Sequence, residues 1–259
     1  MVATGAWSGV WCGRIMVSFV IPAYNEALTL PACLVSIREA MARLGRDYEI
    51  IVADDASTDD TAGLARGDGC VVVSCRNRQI AATRNAGAAV ATGDPLVFVD
   101  ADTRVSEALL RDAFGALAAG AVGGSARPDV EGRVPWWARV FLNIFTVVYF
   151  SANLGAGCFF YVRREAFLKV GGFDERFFAG EEVHLTRALK KLGRFRVGPV
   201  PVRTSGRRVR MAGPGELFRQ CFRVVRKGVA GTMTREATMM WYDGKRESAP
   251  PEEKTRPER

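Results

Sequence analysis

The 259-residue sequence lacks the features that mark several common classes of protein. It contains one histidine and no Cys-x-x-Cys pair, so the spacing typical of zinc ligands is missing. Its 27 glycines and 11 prolines follow no period, which excludes a collagen-like or low-complexity chain. No internal repeat is visible. Acidic residues are outnumbered, 28 against 36 lysines and arginines, and the formal net charge is +8.

Long hydrophobic runs are also missing. The longest apolar stretch, residues 136–150, contains Arg139 and Asn143 and is shorter than the roughly 20 residues of a membrane-spanning helix. We therefore expect an interfacial or buried helix there. Residues 1–15 have no basic start and contain three glycines, which is a poor match to a signal peptide. We expect a disordered extension at residues 1–15, with Met16 as an alternative start.

The composition is nevertheless that of a folded protein. Hydrophobic residues make up 48% of the chain, which is enough to fill a core and excludes a wholly disordered chain. In a chain of this length we expect the cysteines to be reduced and mostly buried. They are Cys12, Cys33, Cys70, Cys75, Cys158 and Cys221.

A strand–helix alternation fills the first half of the chain. Short apolar runs predict strands at residues 17–21, 48–53, 70–74 and 95–99. Helical spacing follows each run, at residues 27–44, 58–66, 78–91 and 106–119. Such apolar strands favour a parallel sheet covered on both faces. The less regular second half predicts a strand at residues 122–126 and helices at residues 164–170 and 181–192.

Polar side chains follow three of these strands. In open parallel sheets ligands bind at the carboxyl ends of the strands, so these loops are the expected site. They are residues 22–27, residues 54–61 and residues 100–102. For Asp55, Ser57 and Thr58 a second interpretation is open, because short oxygen side chains also cap helices.

Asp100 and Asp102 form the most specific of these clusters. Carboxylates two residues apart in an extended segment point the same way, and a divalent cation relieves their repulsion. Hard oxygen ligands suit Mg²⁺ or Mn²⁺, which keep open positions for substrate phosphates. The pair therefore predicts a metal site.

Five segments together resemble one known family. They are VSFVIPAYNEA, IIVADDASTDDT, NRQIAATRNAGAAVATGD, FVDADT and GAGCFFYVRREAFLKVGGFDERFFAGEEVHLTRALKKLGR. In this order they resemble the inverting GT-A-fold glycosyltransferases of family 2, over roughly residues 16–210. The resemblance implies an α/β GT-A fold, with a mostly parallel central sheet and helices on both faces.

The resemblance also implies roles for individual residues. Seven would line the site of the nucleotide-sugar donor: Pro22, Tyr24, Glu26, Asp54, Asp55, Arg84 and Asp100. Among them, Asp54 or Asp55 would hold the nucleotide base with Arg84 near it, and Asp100 would face the ribose. Asp102 would bind the Mg²⁺ or Mn²⁺ ion that bridges the two phosphates of the donor.

On the acceptor side, Glu182 stands where the family usually has a catalytic Asp. Glu181 is the alternative base. Gln79 takes a place often held by Gly, which we expect either to narrow the donor pocket or to have no effect. His184, two residues after the candidate base, does not share its helix face, so we expect a solvated or structural role.

The basic segment at residues 203–227 has eight basic residues against Glu216 and admits three interpretations. Arg207 or Arg208 would contact the diphosphate of the donor. Residues 220–223 resemble the Gln-x-x-Arg-Trp motif of processive synthases, but Val224 replaces its Trp. The segment is also amphipathic, which favours contact with an anionic membrane surface.

These observations predict an enzyme. The resemblance implies metal-dependent, inverting transfer from a nucleotide-diphosphate sugar, expected to be UDP-linked, to a hydroxyl of a glycan or lipid-linked sugar. A polyprenyl phosphate acceptor is one alternative, and a sugar-1-phosphate nucleotidyltransferase is another. A nucleic-acid-binding protein would explain the basic charge, but no recognition module is present and we expect no nucleic acid partner. We expect a cytoplasmic enzyme, free or peripheral at the inner face of the membrane.

The resemblance also divides the chain. We expect a glycosyltransferase domain over residues 16–230, with a nucleotide-binding half at residues 16–103 and an acceptor half at residues 104–230. The last part, residues 231–259, is rich in charge and is predicted to be a tail.

Overall fold

The computed structural model describes residues 16–131, 139, 146, 149–206 and 233. The predicted extension at residues 1–15, most of the basic segment and nearly all of the tail lie outside the described residues. Of the predicted helix at residues 136–150, residues 139, 146, 149 and 150 are described, and all are helical. Within the described ranges, no helix has both the length and the hydropathy required to cross a bilayer.

Strands and helices alternate as predicted in the first half. The strands of the described chain are β1 (Val17–Ala23), β2 (Tyr48–Asp55), β3 (Val71–Cys75), β4 (Leu96–Val99), β5 (Thr103–Arg104), β6 (Gly123–Glu131), β7 (Phe159–Val162) and β8 (Phe195–Ser205). The helices with bounds in it are α1 (Leu30–Leu44), α2 (Thr61–Gly67), α3 (Ile80–Val90), α4 (Glu107–Ala118), α5 (Arg164–Lys169) and α6 (Glu181–Lys190).

The strands form one sheet in the order β3-β2-β1-β4-β7-β6-β8-β5. The first four are parallel to one another, which confirms the predicted parallel sheet. Beyond β4 the sheet is mixed, because β7 runs antiparallel to both β4 and β6, while β6 and β8 are parallel. The carboxyl ends of β1, β2 and β4 therefore meet at one edge, where their polar loops follow.

Helices cover both faces of the sheet, as expected. On one face, alternate residues of β1 pack against the buried stripe of α1 and against α4; Phe19, Leu34 and Leu110 are representative members. On the other face, Val20 and Phe98 pack among residues of α3, α5 and α6. Strands β1, β2 and β4 are thus buried on both faces, which explains their nearly continuous apolar sequences, whereas β3 at the edge of the sheet is exposed or half-buried.

Several parts of the fold differ from the sequence prediction, which had no strand at the positions of β5 and β7. Strand β8 was missed, because the glycine and two prolines in FRVGPVPVRTS interrupt the strand pattern, and its pairing with β6 is long-range. Helices α1, α2 and α3 begin two or three residues later than predicted. The residues before them form loops instead, with positive φ at Asn25, Ala56 and Arg78.

Candidate donor-binding and catalytic site

The loops after β1 and β2 are held together by side-chain hydrogen bonds. The backbone N–H of Asn25 donates to Ser57 Oγ (2.9 Å), and the N–H of Thr58 donates to Asn25 Oδ1 (2.7 Å). Deeper in the same contact, the N–H of Glu26 donates to Thr61 Oγ1 (2.9 Å). Ser57 and Thr58 therefore join two loops. The residue that caps α2 is Asp60, and it makes no side-chain cap bond, so the capping interpretation is wrong.

Asp54 and Asp55, the candidates for the nucleotide base, have different surroundings. Asp55 Oδ1 accepts hydrogen bonds from the N–H groups of Asn77 and Arg78 (2.6 and 2.9 Å), and its Oδ2 accepts one from Thr83 Oγ1 (3.0 Å). Asp55 thus fixes the loop before α3. Oδ1 of Asp54 is buried and has no hydrogen-bond partner, so it keeps an acceptor for another group.

The three residues predicted from the first loop lie at the same edge. Pro22 is in β1 beside Ala53 of β2, and Tyr24 follows the end of that strand. The guanidinium of Arg78 lies 4.3 Å from the centre of the Tyr24 ring, a cation–π contact between the first and third loops. Glu26 is buried, and its carboxylate accepts a hydrogen bond from Thr29 Oγ1 (2.7 Å) at the start of α1.

Arg84 connects the two halves of the site. Its side chain is 1% exposed, and its guanidinium donates to Glu181 Oε1 (2.6 Å), Asp100 Oδ1 (2.8 Å) and the Gly157 carbonyl (2.9 Å). Burial alone would lower the pKa of Arg84, but Asp100 and Glu181 outweigh burial and raise it. The resemblance implied a place near the nucleotide base; these bonds put the guanidinium at the residue expected to face the ribose.

Glu181 and Glu182 open helix α6 and differ in their partners. Glu181 is 4% exposed and its charge is balanced by Arg84. Glu182 is half-buried, and its Oε1 lies 3.5 Å from the Tyr149 hydroxyl. Burial and the neighbouring charge of Glu181 raise the pKa of Glu182 to about 8. The raised pKa of Glu182 supports its choice as the candidate base.

Asp100 and Asp102 lie in the short loop between β4 and β5. The loop is fixed at both ends, because the N–H of Asp100 donates to the Cys158 carbonyl (3.2 Å) and the N–H of Ser205 donates to the Asp102 carbonyl (3.2 Å). In the described ranges no group of three or more His, Cys, Asp and Glu side chains is arranged to hold a metal. One carboxylate suits an ion whose other ligands are water and substrate phosphates, as is usual for Mg²⁺. The residues present fit a metal that arrives with the donor.

Helix α3 also fixes the segment before α6. The Gln79 amide donates to the carbonyls of Glu175 and Phe177, the latter at 3.2 Å, and Asn85 exchanges hydrogen bonds with the backbone of Phe173. The hydrogen bonds of the Gln79 amide are thus made to the acceptor half. His184 stacks on the Phe177 ring, with centroids 3.6 Å apart, which agrees with the structural role expected for it.

Sequence reasoning missed several residues of the site. Tyr149, Gly155 and Thr186 lie around Glu182. Gly155 and Thr186 belong to the fifth segment of the resemblance, which implied no role for them, and Tyr149 lies outside all five segments, in an apolar run. Arg207, Arg208 and residues 220–223 lie outside the described residues. The described cysteines, Cys33, Cys70, Cys75 and Cys158, are free; Cys33 is buried and the other three are half-buried.

The buried position of Arg84 predicts a large effect on stability. Arg84→Met leaves the carboxylates of Asp100 and Glu181 without their cation, and removal of one partner from a buried ion pair costs about 3–5 kcal/mol. We expect that loss in the free energy of unfolding, measured by urea denaturation at pH 7. Arg38→Met, which breaks an exposed pair with Asp68, is the control and should cost at most about 1 kcal/mol. Equal losses of stability in the two variants would contradict the conclusion that Arg84 forms buried ion pairs with Asp100 and Glu181.

Comparison with known proteins identifies the family. The sequence model of Glycosyl transferase family 2 matches residues 18–171, more than half of the chain. Undecaprenyl-phosphate 4-deoxy-4-formamido-L-arabinose transferases from Klebsiella pneumoniae and Pseudomonas paraeruginosa are each 42% identical, over 93 and 94 residues. These matches cover 33% and 34% of this chain but only 28% of each relative.

Solved structures resemble the fold over most of the chain. A mannosyltransferase from Pyrobaculum calidifontis, in complex with GDP-Man and Mn²⁺, has a TM-score of 0.65 and 22% identity, covering 93% of this chain and 67% of its own. TarS from S. aureus has a TM-score of 0.58 and 17% identity, covering 83% and 66%. At sequence identities of 22% and 17%, these similarities show the fold alone. The fold and the family match agree, and the chain belongs to glycosyl transferase family 2, with the GT-A fold.

Proposed function

We propose that this protein transfers a sugar from a nucleotide-diphosphate donor, expected to be a UDP-sugar, to an acceptor hydroxyl, with inversion at the anomeric carbon and with a divalent metal. The observation that carries the proposal is the position of Arg84. Its guanidinium contacts Asp100 of the donor loop and Glu181 of the acceptor helix, so both sets of residues face one site. A transferase needs this proximity, because the donor carbon and the acceptor oxygen must meet.

The donor half of the proposal rests on the edge formed by β1, β2 and β4. The buried, unpaired oxygen of Asp54 is an acceptor suited to an N–H of a nucleotide base, while Asp55 holds the neighbouring loop in shape. Pro22, buried in β1, and Tyr24, whose ring lies under the Arg78 guanidinium, belong to the same edge of the sheet. Structures with the same fold were solved with GDP-Man and with UDP-GlcNAc, which supports a nucleotide sugar without fixing the base.

For the metal, we propose that Asp102 holds Mg²⁺ or Mn²⁺ together with the diphosphate of the donor. When bound, the ion supplies Lewis-acid stabilisation of the charge that develops on the leaving diphosphate. Two solved structures with this fold contain Mn²⁺, which supports a divalent ion here. The protein's own contribution is to hold the loop of Asp102 rigid between β4, β7 and β8.

On the acceptor side, we propose Glu182 as the general base. Its oxygen takes the proton of the acceptor hydroxyl while that oxygen forms a bond to the anomeric carbon. The bond between the anomeric carbon and the diphosphate breaks with its electron pair. A carboxylate whose pKa is raised toward neutral pH is a stronger base and still ionises at working pH, and such catalysis contributes roughly 10²–10⁴-fold.

The names of the curated relatives favour a second acceptor, a polyprenyl phosphate. The chain spans less than a third of their length, so their acceptor does not carry over by similarity alone. A phosphate oxygen is already deprotonated and needs no base. The two acceptors therefore differ in their dependence on Glu182. The third alternative, a sugar-1-phosphate nucleotidyltransferase, has no support, because residues 22–26 form no Gly-rich phosphate loop.

Replacement of Glu182 separates the acceptors. With a hydroxyl acceptor, Glu182→Gln should lower kcat by two to four decades, roughly the contribution of a general base. The wild-type rate should rise with pH through a midpoint near the raised pKa of Glu182, because the deprotonated form is the active one. The measurement is release of nucleoside diphosphate from UDP-glucose, UDP-N-acetylglucosamine or GDP-mannose, with octyl glucoside or undecaprenyl phosphate as acceptor.

The control for this test is Glu165→Gln, an exposed glutamate on α5 that should keep the wild-type rate. Turnover with undecaprenyl phosphate that survives Glu182→Gln would establish the phosphate acceptor. Full turnover with octyl glucoside in that variant would refute Glu182 as the base.

Metal and donor should stabilise the protein together. A ligand at 100 times its dissociation constant adds about 2.7 kcal/mol to the free energy of unfolding, so the melting temperature should rise with UDP- or GDP-sugar plus Mn²⁺. Asp102→Ala should lose the Mn²⁺-dependent part of the rise and keep the part due to nucleotide alone. Asp129→Ala, an exposed aspartate in β6, should respond like the wild type. An undiminished Mn²⁺ effect in Asp102→Ala would place the metal elsewhere.

We further propose peripheral contact with the cytoplasmic face of a membrane. The support is the sequence of the basic segment, in which Arg219, Arg223, Arg226 and Lys227 alternate with Phe218 and Phe222. Each basic residue near an anionic leaflet contributes about 1 kcal/mol.

Flotation measures this contact. The protein should rise with vesicles containing phosphatidylglycerol at 50 mM salt and less so at 500 mM, because salt screens the attraction. Vesicles of phosphatidylcholine alone are the control. Protein that stays in the bottom fraction with anionic vesicles would rule the contact out.

A further inference from the structure

A closed set of hydrogen bonds links the backbone and the side chain of Glu182. Thr186 Oγ1 donates to the Glu182 carbonyl (2.7 Å) and accepts from the N–H of Gly155 (3.1 Å). The carbonyl of Gly155 accepts from the Tyr149 hydroxyl (2.7 Å), and the same hydroxyl oxygen lies 3.5 Å from Glu182 Oε1. Tyr149 thus faces the reacting end of the proposed base, while Thr186 holds its backbone.

The close approach in this set depends on glycine at position 155. A Cβ atom there would lie 2.5 Å from a ring carbon of Phe160 and 2.9 Å from Thr186 Oγ1. Any other residue would push the loop away from α6 and lengthen both of its hydrogen bonds. The position of the Tyr149 hydroxyl therefore depends on the conformation of the loop that contains Gly155.

The distances locate the single proton of the Tyr149 hydroxyl. At 2.7 Å the contact with the Gly155 carbonyl is a normal O–H···O hydrogen bond, whereas 3.5 Å to Glu182 is at the limit of one. Burial and the charge of Glu182 raise the pKa of Tyr149, so the phenol keeps its proton. Because the Tyr149 hydroxyl donates that proton to the Gly155 carbonyl, its oxygen faces Glu182 with lone pairs, which can only accept a hydrogen bond.

We propose that Tyr149 is a positioning residue for the general base: its phenol oxygen accepts a hydrogen bond from the Glu182 carboxyl group after that group has taken the proton of the acceptor. This inference rests on the proposed role of Glu182. The O–H bond of the acceptor breaks and a new one forms on Glu182, and Tyr149 neither gains nor loses a proton. Long contacts of this kind are common before substrate binds and shorten as the reaction proceeds.

Among the residues that the structure describes, the other charged groups near Glu182 do not offer this acceptor. Glu181, on the same helix, has its Oε1 bonded to Arg84 of α3, and Arg84 itself can only donate. Asp100, from the loop after β4, also accepts from Arg84. Tyr149 is the group whose hydroxyl approaches the Glu182 carboxyl with its own proton bonded elsewhere.

The test is a titration of Glu182 by ¹³C NMR on protein labelled at the glutamate carboxyl carbons, with Glu182→Gln identifying the resonance. Tyr149→Phe removes the acceptor of the protonated form and keeps the ring and its edge-to-face contact with Phe150. The pKa of Glu182 should fall by about 0.5 to 1, the effect of one hydrogen bond. An unchanged pKa, or a rise, would overturn the proposal, since a rise would mean that the phenol donates to the carboxylate.

Tyr161→Phe is the matched control. It removes a hydroxyl that donates to the Arg196 carbonyl (3.2 Å), away from α6, and it should leave the Glu182 titration unchanged. A second measurement needs no variant: the ¹³Cζ resonance of Tyr149 in the wild type should move with the midpoint of Glu182. A Tyr149 resonance that does not shift as Glu182 titrates would count against the contact between the Tyr149 hydroxyl and Glu182.

Kinetics distinguish a positioning role from a structural one. With octyl glucoside, Tyr149→Phe should lower kcat about three- to tenfold and leave the KM of the sugar donor unchanged. In a Glu182→Gln background the same change should have no further effect, because no carboxylic acid forms; a further loss would contradict the proposal. Full turnover of Glu182→Gln would instead refute the proposed base, while the NMR titration still decides whether Tyr149 bonds to Glu182.

Discussion

The guanidinium of Arg84 lies between Asp100, in the loop after β4, and Glu181, at the start of α6, almost completely shielded from water. A buried cation is stable only when its charge is balanced, so Asp100 and Glu181, together with the Gly157 carbonyl that accepts from the same guanidinium, must stay where they are. This requirement fixes the distance between the loop of Asp102 and the start of α6. The two halves of a sugar transfer are thereby held together before any substrate binds.

The same interaction gives the two neighbouring glutamates different properties. Glu181 forms a direct ion pair with Arg84, whereas the pKa of Glu182 is raised by burial and by the charge of Glu181, and Arg84 offsets this only in part. Two adjacent glutamates thus differ in their surroundings: Glu181 is held in an ion pair, and Glu182 has a raised pKa. The environment, and not the residue type, makes this division, as it does wherever two carboxylates share a site.

The sequence was sufficient for the parallel half of the sheet and the loops that follow its strands. Short apolar runs and Asp100-Ala-Asp102 are local signals, and local signals determine these elements. Strand β8 could not be predicted from the sequence, because its pairing with β6 joins residues about 70 positions apart and includes a bulge. Tyr149 and Gly155 were missed for the same reason: their relation to Glu182 exists only after the loop at residues 152–158 has folded against α6.

Helix α3 shows how neighbouring residues of one motif contact different segments of the chain. Thr83 bonds to Asp55, Arg84 to Asp100 and Glu181, and Asn85 to Phe173, so adjacent residues of one helix reach the loop after β2, the loop after β4 and the segment around α6. Successive helical positions point about 100° apart, which lets three neighbours serve three segments. Helix α3 therefore supports both parts of the proposed site, and its polar residues are explained by the segments they hold in place.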